Sequence, residues 1–470
     1  MNQKILQFGL LAAIALPVLD LGGTEPIGWG LAEILIFSLG ICLVIYPPGN
    51  FCMRSWKLIL PPVALLLWIA AQRLETYSGK IGFDTHSLET RGLDLVAAIV
   101  VFFLAAECMC DRQPRKREKH ARLAYGLILT GLFEAFMGLT QYLAGWNYIW
   151  TTPRTFYTGS ATGSFINHNH FAGFLEMVLP FSLALAYGHW ARVPLRGRTH
   201  RRRGSVAMET LANSDMQKCL VLLLAAVVLL TAIIFSLSRM GLISIVASIA
   251  AMFAASLAGR RSVRPALLML VLLAAGVASA TWMGVAPVLD HFEQLPRNEL
   301  MASGEGRQAL WKNSAQLIGL HPWTGVGLGS FQYAFTAIEV VGFPRVIDHA
   351  HNDYIELAAE LGLPAASTLF LLFLWLTARA LQASLHSPSG RARALALGSF
   401  GATVALLVHS GADFNLYIPA NALVFAACLG IGYGVWARDC SGIRAAKKAR
   451  AEIPSADAIG TPAVTVSKYG

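Results

Sequence analysis

Charge is what this chain has least of. Only 14% of its 470 residues are Asp, Glu, Lys or Arg, while 55% are hydrophobic and the mean hydropathy is +0.55. A soluble domain carries roughly 25% charged residues, so the composition excludes an ordinary soluble globule. Cysteine is scarce as well. The seven (Cys42, Cys52, Cys108, Cys110, Cys219, Cys428 and Cys440) all fall in apolar runs or in loops expected on the cytoplasmic side. That excludes a disulfide framework in the outer loops, and Cys108-Met-Cys110 lacks the two-residue gap of a redox or zinc pair. The net charge of +10 comes with no motif that reads RNA or DNA, and its positions follow the membrane-topology rule instead. Gly325-Val-Gly-Leu-Gly329 follows a Pro-Trp turn rather than a strand, so it lacks the frame of a dinucleotide loop and reads as a backbone turn.

What the chain does have is long apolar runs. Stretches of about 18 or more such residues are membrane-span candidates. The runs fall at 5–20, 27–46, 57–72, 93–109, 121–144, 170–189, 218–236, 240–258, 265–286, 362–380, 394–412 and 418–437. The expected fold is an all-α polytopic bundle of about 12 spans with a large, partly helical periplasmic loop over 287–361. Residues 1–150 read as N-terminal transmembrane helices, 151–437 as the core that carries the loop, and 438–470 as a disordered cytoplasmic tail. The first run follows Lys4 but precedes Leu19-Asp-Leu-Gly-Gly23 with no small-x-small cleavage site, so it reads as an anchor. With an N-terminus in the cytoplasm, 28 of the 37 Lys and Arg lie in inner loops and 9 in outer ones. This split expects both termini on the cytoplasmic side of the membrane and twelve crossings. The basic blocks Arg112–Arg122 and Arg192–Arg203 set topology or attract anionic inner-leaflet lipids.

Polar chemistry concentrates from Glu305 to Ala365. One helix is expected with Leu310, Trp311, Ser314, Leu317 and Ile318 on a single face, and a second from His351 to Leu361, ending at Gly362 before Pro364. From Asp290 to Glu360 there are nine Asp/Glu against four Lys/Arg, so any anion must be held by local placement and not by the loop's overall field. Arg239 lies in Ser236-Leu-Ser-Arg-Met-Gly241 between two apolar runs. It either snorkels to the interface or clamps phosphate oxygens with its planar fork. Arg307 opens the amphipathic helix, and Arg154 sits in the aromatic-rich loop 145–169; three arginines on one side suit a diphosphate.

His349 and His351 flank Ala350 ahead of Asn352-Asp353. An imidazole there can take a proton from an attacking hydroxyl. The competing readings are a solvated loop and a metal site built from Asp348, His349, His351 and Asp353, whose spacing matches no standard zinc pattern. Asn167, His168, Asn169 and His170 either cap the helix they precede or bind sugar hydroxyls. Glu33, Glu134 and Glu176 fall in apolar runs, where a carboxyl is paired, protonated or functional. His409-Ser-Gly-Ala-Asp-Phe-Asn415 adds a polar cluster on the same face.

In this order the pieces resemble the O-antigen ligase/polymerase family of bacterial envelope glycosyltransferases. The resemblance rests on His351-Asn352 with nine residues before Gly362, supported by Gly163-Ser-Phe-Ile-Asn167, Ser238-Arg239-Met-Gly241 and Gly325-Val-Gly-Leu-Gly-Ser-Phe331, and it spans 154–415. The last glycine of the ligase-type pattern is Ala365 here, which leaves ligase against polymerase open. The resemblance implies transfer of a glycan from undecaprenyl diphosphate to an acceptor hydroxyl on a lipid or saccharide, without a cofactor, metal or nucleotide sugar. It implies that Arg239 and Arg307 hold the diphosphate and that His351 is the base. Arg154, Asn167, His349, Asn352 and Tyr354 are the expected substrate contacts. A protein hydroxyl as acceptor, or a 12-span secondary transporter, are the alternatives.

Overall fold

The computed structural model describes residues 2–47, 56–77, 84–110, 120–193, 212–259, 304–338 and 346–440. Its helices are α1 (Gln3–Leu19), α2 (Pro26–Ile45), α3 (Trp56–Tyr77), α4 (Thr85–Cys108), α5 (Arg122–Ala144), α6 (His168–Trp190), α7 (Ser214–Phe235), α8 (Arg239–Ala258), α9 (Gly304–Leu320), α10 (Phe331–Ile338), α11 (Asp353–Leu361), α12 (Leu363–His386), α13 (Gly390–His409) and α14 (Pro419–Asp439). The only described strands are Tyr148–Ile149 and Thr152–Pro153, a two-residue hairpin. Helix starts are dictated locally. Asp84, Asn167, Asn213, Ser238, Asn352 and Ser389 cap their helices through side-chain oxygens, and Pro26, Pro364 and Pro419 occupy first-turn positions.

Among the described residues eight helices are long and apolar enough to cross a membrane: α2, α5, α6, α7, α8, α12, α13 and α14. The expected first and third spans are shorter apolar helices, Gln3–Leu19 and Leu58–Leu74. The expected fourth is α4, which begins eight residues earlier than its apolar run and carries Glu89, Arg91, Asp94 and Glu107. The expected span 265–286, part of the loop 287–361 and the tail from 441 lie outside the described residues.

The bundle is built around α6, whose apolar window is 94% buried, with α13 and α14 beside it; α2, at 28%, lies on the periphery. One continuous core runs from Leu6 in α1 to Ala437 in α14, across the expected boundary at 150. Where α14 meets α4 the backbones touch. A Cβ on Gly430 would lie 2.4 Å from Phe102 O, and one on Gly434 2.4 Å from Ala106 O. Small residues one turn apart let two helices approach this closely in lipid, where packing replaces the hydrophobic drive.

Hydrogen bonds between turns define the two ends of the bundle. At one end Ala420 N donates to Gly22 O (3.1 Å), Ala161 N to Phe235 O (2.9 Å), Asp353 N to Ser410 O (3.0 Å) and Arg91 Nη1 to Tyr417 O (2.9 Å). At the other, Arg438 Nη1 donates to Met109 O (2.9 Å) and His189 Nδ1 lies 2.6 Å from Asp215 Oδ1. The first end carries α9, α10 and α11, which share a small core of Leu310, Leu317, Val326, Phe331, Phe335 and Ala350. The face expected on the first helix is present, with Leu310, Ser314 and Leu317 buried, and the second expected helix, α11, starts two residues later than His351 and stops at Gly362.

The glycine run docks this cap. Val326 N donates to Ala359 O (2.9 Å) and Gly327 N to Glu360 O (3.0 Å). Gly325, at φ +68, sits so close that a Cβ would lie 2.2 Å from Glu360 O. Gln72 of α3 holds the same turn, donating to Thr324 O (2.6 Å) and Glu360 O (2.8 Å).

Candidate active site

The segment ahead of α11 is laced onto the loop between α13 and α14. Asn352 caps α11 by accepting from Tyr354 N (3.0 Å) and Ile355 N (3.1 Å), and its Nδ2 donates to Gly411 O (2.8 Å). The Tyr354 hydroxyl donates to Leu407 O (2.5 Å), and the Asp353 carboxylate accepts from Leu416 N (3.2 Å). The polar atoms of Asn352 and Tyr354, expected at the substrate, are thus engaged by the scaffold. Their effect is to set His351 above Asp413.

His351 adopts φ +48, a left-handed conformation costly for a bulky residue, on the order of 1–3 kcal/mol. All five described non-glycine residues with positive φ (Leu21, Trp150, Tyr157, Leu237 and His351) lie in turns at this one end of the bundle. Strain held in place by surrounding structure gathers at functional sites.

His351 Nδ1 lies 3.5 Å from Asp413 Oδ1, and the imidazole rests edge-on against Phe414 at 4.9 Å. The His351 side chain is 30% exposed and that of Asp413 1%. Asp413 also faces His170 at 3.8 Å and His409 at 4.0 Å. Burial alone would raise the Asp413 carboxyl, but His170 and His351 beside it hold it well below the usual carboxylate range. Deeper still, His409 Nδ1 lies 3.1 Å from both oxygens of Glu176, with neither side chain exposed. The intramembrane carboxyl Glu176 is therefore paired. So is Glu134, which accepts from Ser164 N (2.8 Å) and Ser164 Oγ (2.9 Å).

His349 turns away from His351. Its Nδ1 lies 2.6 Å from Glu356 Oε1, and its ring stacks on Phe414 at 4.0 Å. Burial, then the nearby Arg91 charge, pushes His349 down to about 3. Glu356 is pushed up to about 8 by burial, against the Ala350 N–H that donates to it, and Glu360 to about 7 by burial and the neighbouring Glu356. A buried pair sharing one proton is the result, and His349 works as part of the wall.

The four side chains of the metal reading diverge: His349 goes to Glu356, His351 to Asp413, Asp353 to a backbone N–H, and Asp348 is exposed. Among the described residues no three His, Cys, Asp or Glu are grouped to hold a metal ion.

These shifts make stability depend on pH. Glu356 and Glu360 hold their protons more tightly folded than unfolded, where 4.5 is ordinary. Their contribution is complete below about 4.5 and is lost as pH rises through 7 and 8. The depressed His349 acts with the opposite sign but only below about 6.5. The denaturant midpoint of the protein in lipid should therefore fall between pH 6 and pH 9. Glu356→Gln and Glu360→Gln should each flatten that slope, and an unchanged slope in both would refute the assignment.

Arg239 is the first residue of α8, and its side chain is exposed. Leu237, at φ +63, reverses the chain just before it, and Ser238 caps the helix at Gly241 N. This turn is fixed to α6 by His168, whose Nδ1 lies 2.5 Å from Ser236 O. His170, one residue beyond Asn169, reaches Asp413. The first turn of α6 thus joins the Arg239 turn to the His351 carboxylate. Arg307 lies one helical turn before Trp311 on α9. Trp311 Nε1 donates to Ala350 O (3.1 Å), and Arg307 Nε is buried without a hydrogen-bond partner among the described residues. Arg239, Arg307 and His351 therefore share one end of the bundle.

Two expected contacts have other work. Asn167 is the cap of α6, accepting from Asn169 N (2.8 Å). Arg154 is buried, and its Nη2 donates to Tyr157 O (2.5 Å) and Ser160 O (2.7 Å) of its own loop. Burial pushes its guanidinium down. Asp413 was visible in the sequence only as part of a polar cluster, and nothing there tied it to His351, 62 positions away. Glu356 and Glu360 have a faint signal: acidic residues four apart on a helix whose neighbours are apolar.

Several long apolar helices packed in one bundle are those of a multi-pass membrane protein. Residues 224–370 match the family model described as O-Antigen ligase, a stretch that includes Arg239, Arg307 and His351. The resemblance read from the motifs stands on that match, which supports a glycan transferase of the ligase or polymerase type. No curated protein matches the chain.

Proposed function

We propose that the protein transfers a glycan from undecaprenyl diphosphate to an acceptor hydroxyl on the periplasmic side of the bacterial inner membrane. The observation that carries this reading is His351, strained to φ +48 over the buried, ionised Asp413 at the bundle end that bears Arg239 and Arg307. With Nδ1 turned to Asp413, the Nε2 lone pair is left for the acceptor hydroxyl. That hydroxyl gives its proton to His351 as its oxygen attacks the anomeric carbon. The bond from that carbon to the diphosphate breaks, and the electron pair leaves on a phosphate oxygen. Guanidinium groups fixed beforehand stabilise that growing charge more in the transition state than in the ground state. A single displacement inverts the anomeric carbon.

The side of the membrane is supported by the 28-to-9 division of Lys and Arg, which puts the opposite end of the bundle and both termini in the cytoplasm. The test is purified protein in lipid nanodiscs, given lipid-linked glycan and, separately, lipid A-core, a second lipid-linked chain or a protein acceptor. Product with one acceptor class supports the reading and names the branch. If lipid-linked glycan is left intact with all three, the reading fails.

A further inference from the structure

An apolar cavity that the transfer step above does not use opens beside the site. Its walls come from α2, α3, α4, α12 and α14, and its roof from Leu328, Leu357 and Leu361 of the cap with Leu416 and Tyr417 of the α13–α14 loop. No residue of α6 or α8, the helices that carry His170 and Arg239, lines it. Along α4 the wall runs from Arg91 to Phe103, a rise of about 18 Å. That is roughly one leaflet of a hydrocarbon core about 30 Å thick. The volume of about 180 Å³ gives room for on the order of a dozen water-sized groups. A methylene is close to that size, so the cavity takes one lipid chain and not several.

Polar atoms gather at one end of the wall. Arg91, with a side chain 30% exposed, stands there beside Asp94. Asp94 accepts from Trp29 Nε1 (3.0 Å) through one oxygen and from Arg91 Nη1 (3.3 Å) through the other. Arg91 Nη1 also donates to Tyr417 O (2.9 Å). Both bonds fall on one nitrogen, so they aim the guanidinium while Nε and Nη2 make no hydrogen bond among the described residues. An aimed guanidinium at the head of a slot one chain wide suits a lipid whose head is a phosphate.

A row of rings joins Arg91 to His351. The guanidinium lies over Tyr417 (5.5 Å), Tyr417 lies 5.3 Å from His349, His349 stacks on Phe414 at 4.0 Å, and Phe414 meets His351 at 4.9 Å. Arg239 is joined to the same imidazole by another route, through the first turn of α6 and Asp413. A diphosphate held at Arg239 therefore leaves the Arg91 cavity to a second lipid. The chain of that lipid has a way in. Leu65 of α3 with Leu369 and Leu372 of α12 also line a second hollow between these two helices, where Pro364 and Thr368 are exposed. Three leucines thus stand between the cavity and the exposed side of the seam. Pro61 and Pro62 remove backbone hydrogen bonds from α3, which loosens the helix there.

We propose that the acceptor is a second polyprenyl-diphosphate-linked glycan, its lipid chain seated between α3, α4, α12 and α14 and its phosphates at Arg91. The assignment rests on the proposed glycan transfer and puts the protein on the polymerase branch of it. The acceptor's sugar hydroxyl oxygen bonds to the donor's anomeric carbon, and its proton passes to His351. The donor's polyprenyl diphosphate leaves, and the lengthened glycan stays on the lipid held at Arg91. A slot for one chain suits a polyprenyl lipid and not lipid A, which carries several.

The test uses the full chain in nanodiscs and three probes with a photoreactive diazirine in the lipid chain: a polyprenyl-diphosphate-linked glycan, phosphatidylglycerol and lipid A. Labelled residues are mapped by mass spectrometry. The polyprenyl probe should mark the cavity wall on α4 and α12 about fivefold more than either other probe. Arg91→Gln should lower that labelling about fivefold to tenfold, and Arg91→Lys should keep most of it. Ala422→Phe fills the cavity without touching its charge and should lower labelling as Arg91→Gln does. Arg239→Ala should leave it within about twofold, because Arg239 serves the donor. Labelling lost in Arg239→Ala and kept in Arg91→Gln would make the cavity the seat of the donor's chain, and the proposal fails. Phosphatidylglycerol that the polyprenyl-linked glycan does not displace overturns it as well, and so does a preference for lipid A. Wild-type protein that transfers no glycan to any acceptor overturns the underlying reading instead.

Discussion

His351→Ala should lower glycan transfer by about 10²- to 10⁴-fold, the range general-base catalysis supplies, while membrane insertion stays normal. The expectation follows from two features together. The imidazole is partly open to solvent on a residue forced into φ +48, and Asp413 beneath it is buried and ionised. The buried Asp413 carboxylate lies 3.5 Å from His351 Nδ1 and orients the ring. Asp413→Asn should therefore reduce turnover in the same direction, with the donor KM nearly unchanged. Single-turnover rates for both variants are the check. A His351→Ala protein at wild-type rate removes the base assignment.

Arg239→Ala is expected to cost about 10²- to 10³-fold, the size seen when one preorganised donor to a developing anion is removed. Arg239→Lys keeps the charge but loses the planar fork that grips two phosphate oxygens. It should recover only part of the rate. Arg307→Ala should behave likewise, since among the described residues Arg307 Nε is buried with no hydrogen-bond partner, one helical turn before the Trp311 that donates to Ala350 O. In cells each variant should accumulate lipid-linked glycan, read by mass spectrometry of extracted lipids. Ordinary levels in Arg239→Ala cells would mean that this arginine serves only to hold the helix at the interface. The two readings of Arg239 differ in that outcome and in nothing visible along the chain.

Eight of the twelve expected spans and two of the three described helices of the cap were legible because apolar periodicity is a property of neighbours in sequence. Leu310, Ser314 and Leu317 bury one face of α9 as their spacing requires, and Asn352 and Gly362 bound α11 as their side-chain chemistry requires. Length and composition fix these features locally. Asn167, Asn352 and Tyr354 each make a hydrogen bond to a nearby backbone group, in the local competition that makes such residues caps and anchors, and the pattern of neighbours does not say which role a polar side chain takes. Arg154 donates through Nη2 to carbonyls three and six residues ahead.

The amino-acid order alone determined a membrane bundle, the end where polar residues gather, and the identity of the His and two Arg candidates. Only the folded chain decided what those residues touch. Asp413 reaches His351 because α11 is sewn onto the α13–α14 loop, and Glu176 reaches His409 because α6 and α13 cross at the centre of the bundle. Burial sets the charge of Asp413, Glu356 and His349, and burial is a sum over groups from distant segments that no local pattern records.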